Sequence, residues 1–133
     1  MKHNVTLIAA SFLSIVLFTF HWAYEIANGW ETGGVAGLGG ILILLAWLYG
    51  TLVLGGRRSG YIVMLIGGTF GLGVLILHTT GRGMVGGRIA NSSGVLFWVW
   101  TLIVLGVSSS LAGILAVHGL WSLRKGSSRA AAS

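Results

Sequence analysis

The amino-acid sequence predicts an all-α protein, an integral membrane bundle of four transmembrane helices. Of its 133 residues, 55% are hydrophobic and only 8% are charged, and the mean hydropathy is +0.92. Soluble domains carry about 25% charged residues because their surface faces water, so most of this surface is expected to face lipid. The apolar runs are continuous and do not alternate with polar residues, which indicates helices and not the strands of a membrane barrel.

Four apolar segments reach the length of about 20 residues that a helix needs to cross a bilayer. They form one predicted domain, residues 1–126, with spans at about 5–27, 35–55, 61–80 and 95–121. The chain has no Pro, which favours uninterrupted helices. No small-x-small cleavage site follows the first segment, so we expect it to be retained as a span. Residues 127–133 are small and polar and predict a flexible cytoplasmic tail.

The distribution of Lys and Arg predicts a protein of the cytoplasmic (inner) membrane with both termini in the cytoplasm. Six basic residues fall on the side of the termini: Lys2, Arg57, Arg58, Arg124, Lys125 and Arg129. The other side has Arg82 and Arg88, together with the only two acidic residues, Glu25 and Glu31. The net charge of +6 does not indicate nucleic-acid binding, because the basic residues form no basic face. The lipid bilayer is the predicted partner.

A polar face near the end of the first span is the candidate site. His21, Glu25 and Asn28 share one side of a helix by the i, i+4 and i+7 spacing. The third span ends on the same side of the membrane and contributes His78. Polar groups are costly in lipid, so we expect this face to look into the bundle or into a water pocket.

Two interpretations of this polar site follow from its chemistry. Imidazole titrates near neutral pH and binds metals, so the group is a candidate for proton transfer, and His21 with His78 for a metal or a haem iron. Alternatively, the residues form a hydrogen-bonded cap at the membrane surface. We favour the cap, since shallow polar residues cost little. Two candidate ligands are not a metal motif, and the chain has no Cys, so no metal or cofactor is assigned.

Charge balance on the side opposite the termini predicts ion pairs between its loops. Two carboxylates and two guanidinium groups fall there. We expect Glu25 or Glu31 to pair with Arg82 or Arg88 and to clamp the first and third loops together.

Small residues four positions apart predict close packing between helices, because they let backbones approach in lipid. The third span contains Gly67 and Gly71, and the fourth contains Gly106, Ser110 and Gly113. We favour packing within the bundle; the alternative is that one such face binds a partner membrane protein or a second copy of the chain.

Three segments carry a resemblance to uncharacterised small bacterial four-span inner-membrane proteins. They are HWAYEIANGWETGG in the first loop, WLYGTLVLGGRRSGYIVML across the inner loop, and LW at the end of the last span. The resemblance implies a bacterial cytoplasmic membrane and no particular activity. The layout also resembles small multidrug resistance transporters, but Glu25 lies near a helix end and not deep in the membrane.

The sequence therefore predicts a non-enzymatic accessory or interaction subunit, since no complete set of nucleophile, base and orienting group is present. The first alternative is a small-solute or proton-coupled transporter that uses His21 and Glu25. The second is a haem- or metal-binding membrane redox subunit that uses His21 and His78.

Overall fold

The computed structural model describes residues 2–31, 34–79 and 95–130, and these residues form four α-helices and no strand. The helices are α1 (Lys2–Ala27), α2 (Leu38–Leu52), α3 (Arg58–Thr79) and α4 (Val95–Ala130), with a 3-10 turn (Gly34–Gly37) before α2. The predicted all-α bundle is thus confirmed. We call the end at which α1 and α3 finish and α4 begins the histidine end. The opposite end is the basic end, because Arg57, Arg58 and Lys125 lie there.

Three of the helices are long and apolar enough to cross a membrane. The apolar stretches are Asn4–Ala27, Arg58–Thr79 and Leu96–Lys125. The second predicted span, at about 35–55, differs: its helix has only 15 residues, or about 22 Å of length, which is less than the hydrocarbon core. Positive-φ glycines lie beyond both ends of the shortened helix. Gly34 and Gly56 adopt positive φ, a conformation that excludes them from a right-handed helix.

The end of α1 is set by a glycine motif beside the candidate site. Gly29 has a φ of 68°, its N–H donates to the Ile26 carbonyl, and the Trp30 N–H donates to the Glu25 carbonyl over 2.9 Å. These two bonds form a Schellman motif, which satisfies carbonyl groups that the helix end would otherwise leave open. The motif fixes the helix end one turn past Glu25 and folds Trp30 back toward the bundle.

The bundle is built around α1, α3 and α4, whereas α2 packs at the periphery against α1 and α3. The main core cluster consists of Leu7, Ala10, Tyr61, Met64, Ala112 and Ala116. A second cluster at the histidine end is centred on Trp98 and Leu102. The core is rich in small side chains because packing, and not exclusion from water, holds helices together in lipid.

The predicted packing residues mostly lie at close helix contacts. A Cβ added to Gly67 would lie 2.1 Å from the Trp47 ring, and one added to Gly71 would lie 2.1 Å from the Ser109 hydroxyl. A Cβ on Gly106 would meet Leu75 at 2.2 Å.

Two of the predicted packing residues act differently. The Ser110 hydroxyl donates to the carbonyl of its own helix at Gly106. A Cβ on Gly113 would meet nothing within 4 Å, but the backbone of Gly113 lies 2.9 Å from where a Cβ of Gly68 would be. Gly68, which the spacing argument did not select, therefore lies where the backbones of α3 and α4 are in close contact.

Buried hydroxyl groups join the helices in the middle of the bundle. The Trp47 indole donates to Ser11 over 2.9 Å, and the Ser11 and Thr51 hydroxyls are 2.8 Å apart. Ser14 on α1 contacts Ser108 on α4 over 2.9 Å. Each of these bonds crosses from one helix to another, so they fix the register of α1 against α2 and α4.

The last helix extends beyond its predicted limits. α4 has 36 residues and continues to Ala130, past the predicted span end near Trp121 and into the segment predicted to be a flexible tail. No Pro or positive-φ glycine interrupts it. Lys125 lies 3.6 Å from the Trp121 ring centroid, a cation–π contact one turn apart. Residues 131–133 lie outside the described part of the chain.

Candidate functional site

Three helices bring the polar cluster together at the histidine end. His21 and Glu25 lie one turn apart near the end of α1, His78 lies in the last turn of α3, and Trp98 lies in the first turns of α4. His21 is 1% exposed, Glu25 6% and Trp98 4%, while His78 is half-buried. The structure thus brings together three of the four predicted site residues and adds Trp98 to them.

One oxygen atom is the centre of this cluster. Oε1 of Glu25 lies 3.1 Å from Nε2 of His78 and 3.5 Å from Nε2 of His21. The same oxygen accepts a hydrogen bond from the Trp98 indole N–H over 3.2 Å. A single carboxylate oxygen therefore contacts side chains from α1, α3 and α4.

The second ring nitrogen of His78 fixes which nitrogen carries the hydrogen. Nδ1 lies 2.7 Å from the Val74 carbonyl oxygen, which can only accept, so Nδ1 carries a hydrogen. Nε2, which faces Glu25, then has two states. In the imidazolium it donates a hydrogen bond to the carboxylate; in the neutral ring it presents a lone pair to another lone pair. The 3.1 Å contact with Glu25 is therefore favourable when Nε2 carries a proton or binds a cation, and unfavourable when Nε2 is bare.

His21 is the least satisfied polar group of the cluster. Neither of its ring nitrogens makes a hydrogen bond within the described residues, although both are buried. Its ring contacts Trp98 with centroids 5.0 Å apart and meets His78 edge to face at 5.2 Å. A buried polar group without a partner costs about 1–3 kcal/mol, so this arrangement needs a reason.

An apolar layer separates the cluster from the hydroxyl groups deeper in the bundle. On α1, the next buried polar residue is Ser14, seven residues before His21 and so about 10 Å away along the axis. On α4, Thr101 is also buried and its hydroxyl donates to the Trp98 carbonyl, and the next buried polar residue is Ser108. Leu102 and Leu105, both at most 3% exposed, lie between Thr101 and Ser108. The described residues therefore form no continuous polar path from the histidine end to the middle of the bundle.

The other predicted site residues lie elsewhere. The Asn28 side chain is exposed and donates to the Tyr24 carbonyl of its own helix over 2.8 Å. Glu31 follows the helix end and lies outside the buried cluster. Arg82 and Arg88 lie outside the described residues, so the ion pairs of Glu25 or Glu31 with them remain predictions.

Trp98 is the member of the buried cluster that the sequence argument missed. The sequence places Trp98 near the end of the fourth span but does not show whether its side chain faces the bundle or the lipid. A signal does exist in the spacing of Trp98, Leu102 and Leu105, which continues to Ala112 and Ala116 as the buried face of α4. Trp100, two residues on, is 62% exposed because it lies on another side of the helix.

The cluster fits a small cation better than a haem. Bis-histidine ligation of haem iron needs the two imidazoles on opposite faces of the macrocycle. The rings of His21 and His78 instead contact each other, and both Nε2 atoms lie within 3.5 Å of one Glu25 oxygen. By contrast, one donor atom from each of the three residues lies within 4.8 Å of the others, close enough for a single metal ion to bind all three after side-chain movements of less than about 1 Å.

Comparisons of the chain with protein-family models, with curated proteins and with solved structures find no match.

Proposed function

We propose that this chain is a small multi-pass protein of the bacterial cytoplasmic membrane that works as a non-enzymatic accessory subunit of another membrane protein. Three helices of sufficient length and apolarity support the membrane location. The bias of Lys and Arg toward the basic end supports termini in the cytoplasm. The resemblance of the loop segments to small bacterial four-span proteins supports the same assignment.

One observation carries the accessory role: the buried polar side chains mostly bind other helices. Ser14 binds Ser108, and Trp47 binds Ser11. Glu25 binds groups from α3 and α4. Polar groups used in this way hold helices in one arrangement, which is what a protein that works by presenting a helical surface requires.

The peripheral helix α2 is the surface that we expect to meet the partner. Its outward side chains are apolar and exposed; Leu42 is 66% and Leu45 55% accessible. At about 22 Å the helix is shorter than the hydrocarbon core, and a short helix is accommodated by thinning the bilayer or by association.

Photo-crosslinking in native membranes tests this role. A photo-reactive amino acid at Leu42 is compared with one at Ile114 on α4, which is 68% exposed and serves as the matched control. We expect Leu42 to give a product of constant mass with one other protein, and Ile114 to give none. Only lipid adducts, or only a product with the mass of two copies of the chain, would overturn the accessory role.

Reporter fusions test the proposed topology. A periplasm-active phosphatase fused to either terminus is expected to be inactive, while one inserted at Arg88 is expected to be active. The reverse pattern would overturn the orientation, without bearing on the partner.

Proton-coupled transport is the second candidate, and one observation favours it. His21 and Glu25 are titratable, buried and adjacent within a helix that crosses the membrane. The apolar layer of Leu102 and Leu105 opposes it, because protons need a chain of polar groups or water. Purified protein in vesicles, with a pH-sensitive dye inside, is expected to show no potential-driven proton flux. Flux that Glu25→Gln abolishes would favour transport.

A further inference from the structure

The geometry points to a site for one divalent transition-metal ion of the Zn²⁺ class at the histidine end, held by His21, Glu25 and His78. We propose Nε2 of both histidines and Oε1 of the carboxylate as ligands, with a fourth position left for water or an external ligand. This inference does not depend on the accessory role, since a metal site serves an accessory subunit and a transporter equally.

The distances between the donor atoms fit a metal with small side-chain movements. Ligand bonds of about 2.0–2.1 Å around a tetrahedral ion place neighbouring donor atoms about 3.3 Å apart. The Glu25 oxygen is 3.1 Å from Nε2 of His78 and 3.5 Å from Nε2 of His21. Both distances lie within a few tenths of an ångström of that ideal edge. The donor atoms of the two histidines lie within 4.8 Å of each other, so these two rings would move closer together to hold one ion.

The surroundings of two ligands resemble the outer shell of a metal centre. Metal-binding histidines usually donate their other ring N–H to a carbonyl or a carboxylate, and this contact orients the ring. His78 does so with the Val74 carbonyl over 2.7 Å. The carboxylate of Glu25 is held in turn by the indole N–H of Trp98 over 3.2 Å.

A metal ion would give the unpaired His21 ring a partner and would also stabilise the contact of His78 with Glu25. His21 is buried with no hydrogen bond to either ring nitrogen within the described residues, and a metal would use one of them. With Nδ1 of His78 protonated, a neutral ring presents the lone pair of Nε2 to the carboxylate, and a shared cation turns this repulsion into attraction. A proton on His78 would relieve only the second of these.

The donor types select the class of metal. Two imidazoles and one carboxylate suit Zn²⁺, Co²⁺, Ni²⁺ or Cu²⁺, whereas Ca²⁺ and Mg²⁺ prefer all-oxygen sites with six or more ligands. The chain has no Cys, which removes the thiolate ligands that Cu⁺ prefers. Three protein ligands with one open position are typical of zinc sites that exchange a ligand.

Titration with Co²⁺ tests the site, because tetrahedral Co²⁺ absorbs visible light. The full chain is purified in detergent through a tag without histidine, so that the tag binds no metal. We expect one equivalent of Co²⁺ to give the tetrahedral spectrum and one equivalent of Zn²⁺ to remove it. The parent chain showing no such spectrum, and no Zn²⁺ binding by calorimetry, overturns the proposal and leaves a protonated His78 as the cation.

Zn²⁺ binding by variants of the proposed ligands tests where the ion binds. His78→Gln and His21→Gln are expected to weaken Zn²⁺ binding by at least tenfold, and Trp98→Phe, which keeps a ring but removes the N–H, by about 10–100-fold. His118→Gln is the matched control, since His118 lies at the basic end. Each variant is first shown to keep the parent's helical circular dichroism. Binding that survives His78→Gln but is lost in His118→Gln would place the ion elsewhere and overturn the assignment.

Discussion

Trp98 donates its indole N–H to Oε1 of Glu25 over 3.2 Å, although 73 positions of chain separate the two residues. The bond connects the first helix of the bundle to the last. His78 reaches the same oxygen from the third helix. A single carboxylate therefore determines how three membrane helices meet, and removing its charge is the most direct way to disturb the histidine end.

We expect Glu25→Gln to lower the free energy of unfolding by about 1–3 kcal/mol, because the amide loses the charge that strengthens the bonds from Trp98 and His78. Glu31→Gln removes the same charge from the same end of the chain, outside the buried cluster, and is expected to cost less than 1 kcal/mol. Thermal unfolding in detergent, followed by circular dichroism, measures both. Equal losses in the two variants would show that net charge, and not the buried contact, is responsible.

Gly68→Ala is expected to destabilise the bundle by about 1–3 kcal/mol, because the added methyl group forces two backbones apart. Its Cβ would lie 2.7 Å from the Ser109 carbonyl oxygen and 2.9 Å from the Gly113 nitrogen, and neither is part of a movable side chain. Gly73→Ala, on the same helix, meets nothing within 4 Å and is expected to be neutral or slightly stabilising. The unfolding midpoints of the two variants, measured in the same detergent, test this difference in stability. A Gly68→Ala protein as stable as Gly73→Ala would contradict the close contact of α3 with α4.

Thr51→Val tests the buried hydroxyl contacts between α1 and α2. The substitution keeps the shape of the side chain but leaves the Ser11 hydroxyl without its partner at 2.8 Å. We expect a loss of about 0.5–2 kcal/mol, the range for hydrogen bonds between membrane helices. Thr69→Val is the control, because that hydroxyl is exposed and only donates to the Leu65 carbonyl of its own helix. Both values come from unfolding curves in denaturant, and a larger effect at position 69 would contradict the prediction.

Paired cysteines test the register of α1 against α4, in a chain that has no Cys of its own. The hydroxyls of Ser14 and Ser108 are 2.9 Å apart, so Ser14→Cys with Ser108→Cys is expected to form a disulfide in membranes under mild oxidation. Ser14→Cys with Ser110→Cys is the control, since the Ser110 hydroxyl binds the Gly106 carbonyl of its own helix. Faster mobility of the first variant on a non-reducing gel shows the bond. Crosslinking of the control alone would mean that α4 is rotated from the position described.

The all-α fold class and part of the candidate site can be predicted from local patterns in the sequence. The absence of Pro and the continuous apolar runs decide the secondary structure, and the i, i+4 spacing places His21 and Glu25 on one face. Counting spans places His78 at the same end of the bundle. These arguments need only the helical repeat and the direction of each span.

The remaining features depend on contacts between helices, which the sequence does not reveal. Nothing in the local pattern distinguishes Trp98 from Trp100 until the rotation of α4 is known. The shortening of α2 is another such feature, because the continuous apolar run does not mark Leu38 and Leu52 as the ends of the helix. Gly68 escaped the four-residue spacing rule because the residues four positions before and after it are Met64 and Leu72, which are not small.

The contacts of α1 also impose an order on biosynthesis. α1 enters the membrane with Ser14 and Glu25 on one face, but Ser108 and Trp98 belong to α4, which is synthesised later. Until α4 is inserted, the Ser14 hydroxyl lacks its cross-helix partner and the carboxylate has only the histidines beside it. Before α4 inserts, α1 thus exposes polar groups that the assembled bundle buries, so insertion of α4 is the step that stabilises α1 in the bilayer.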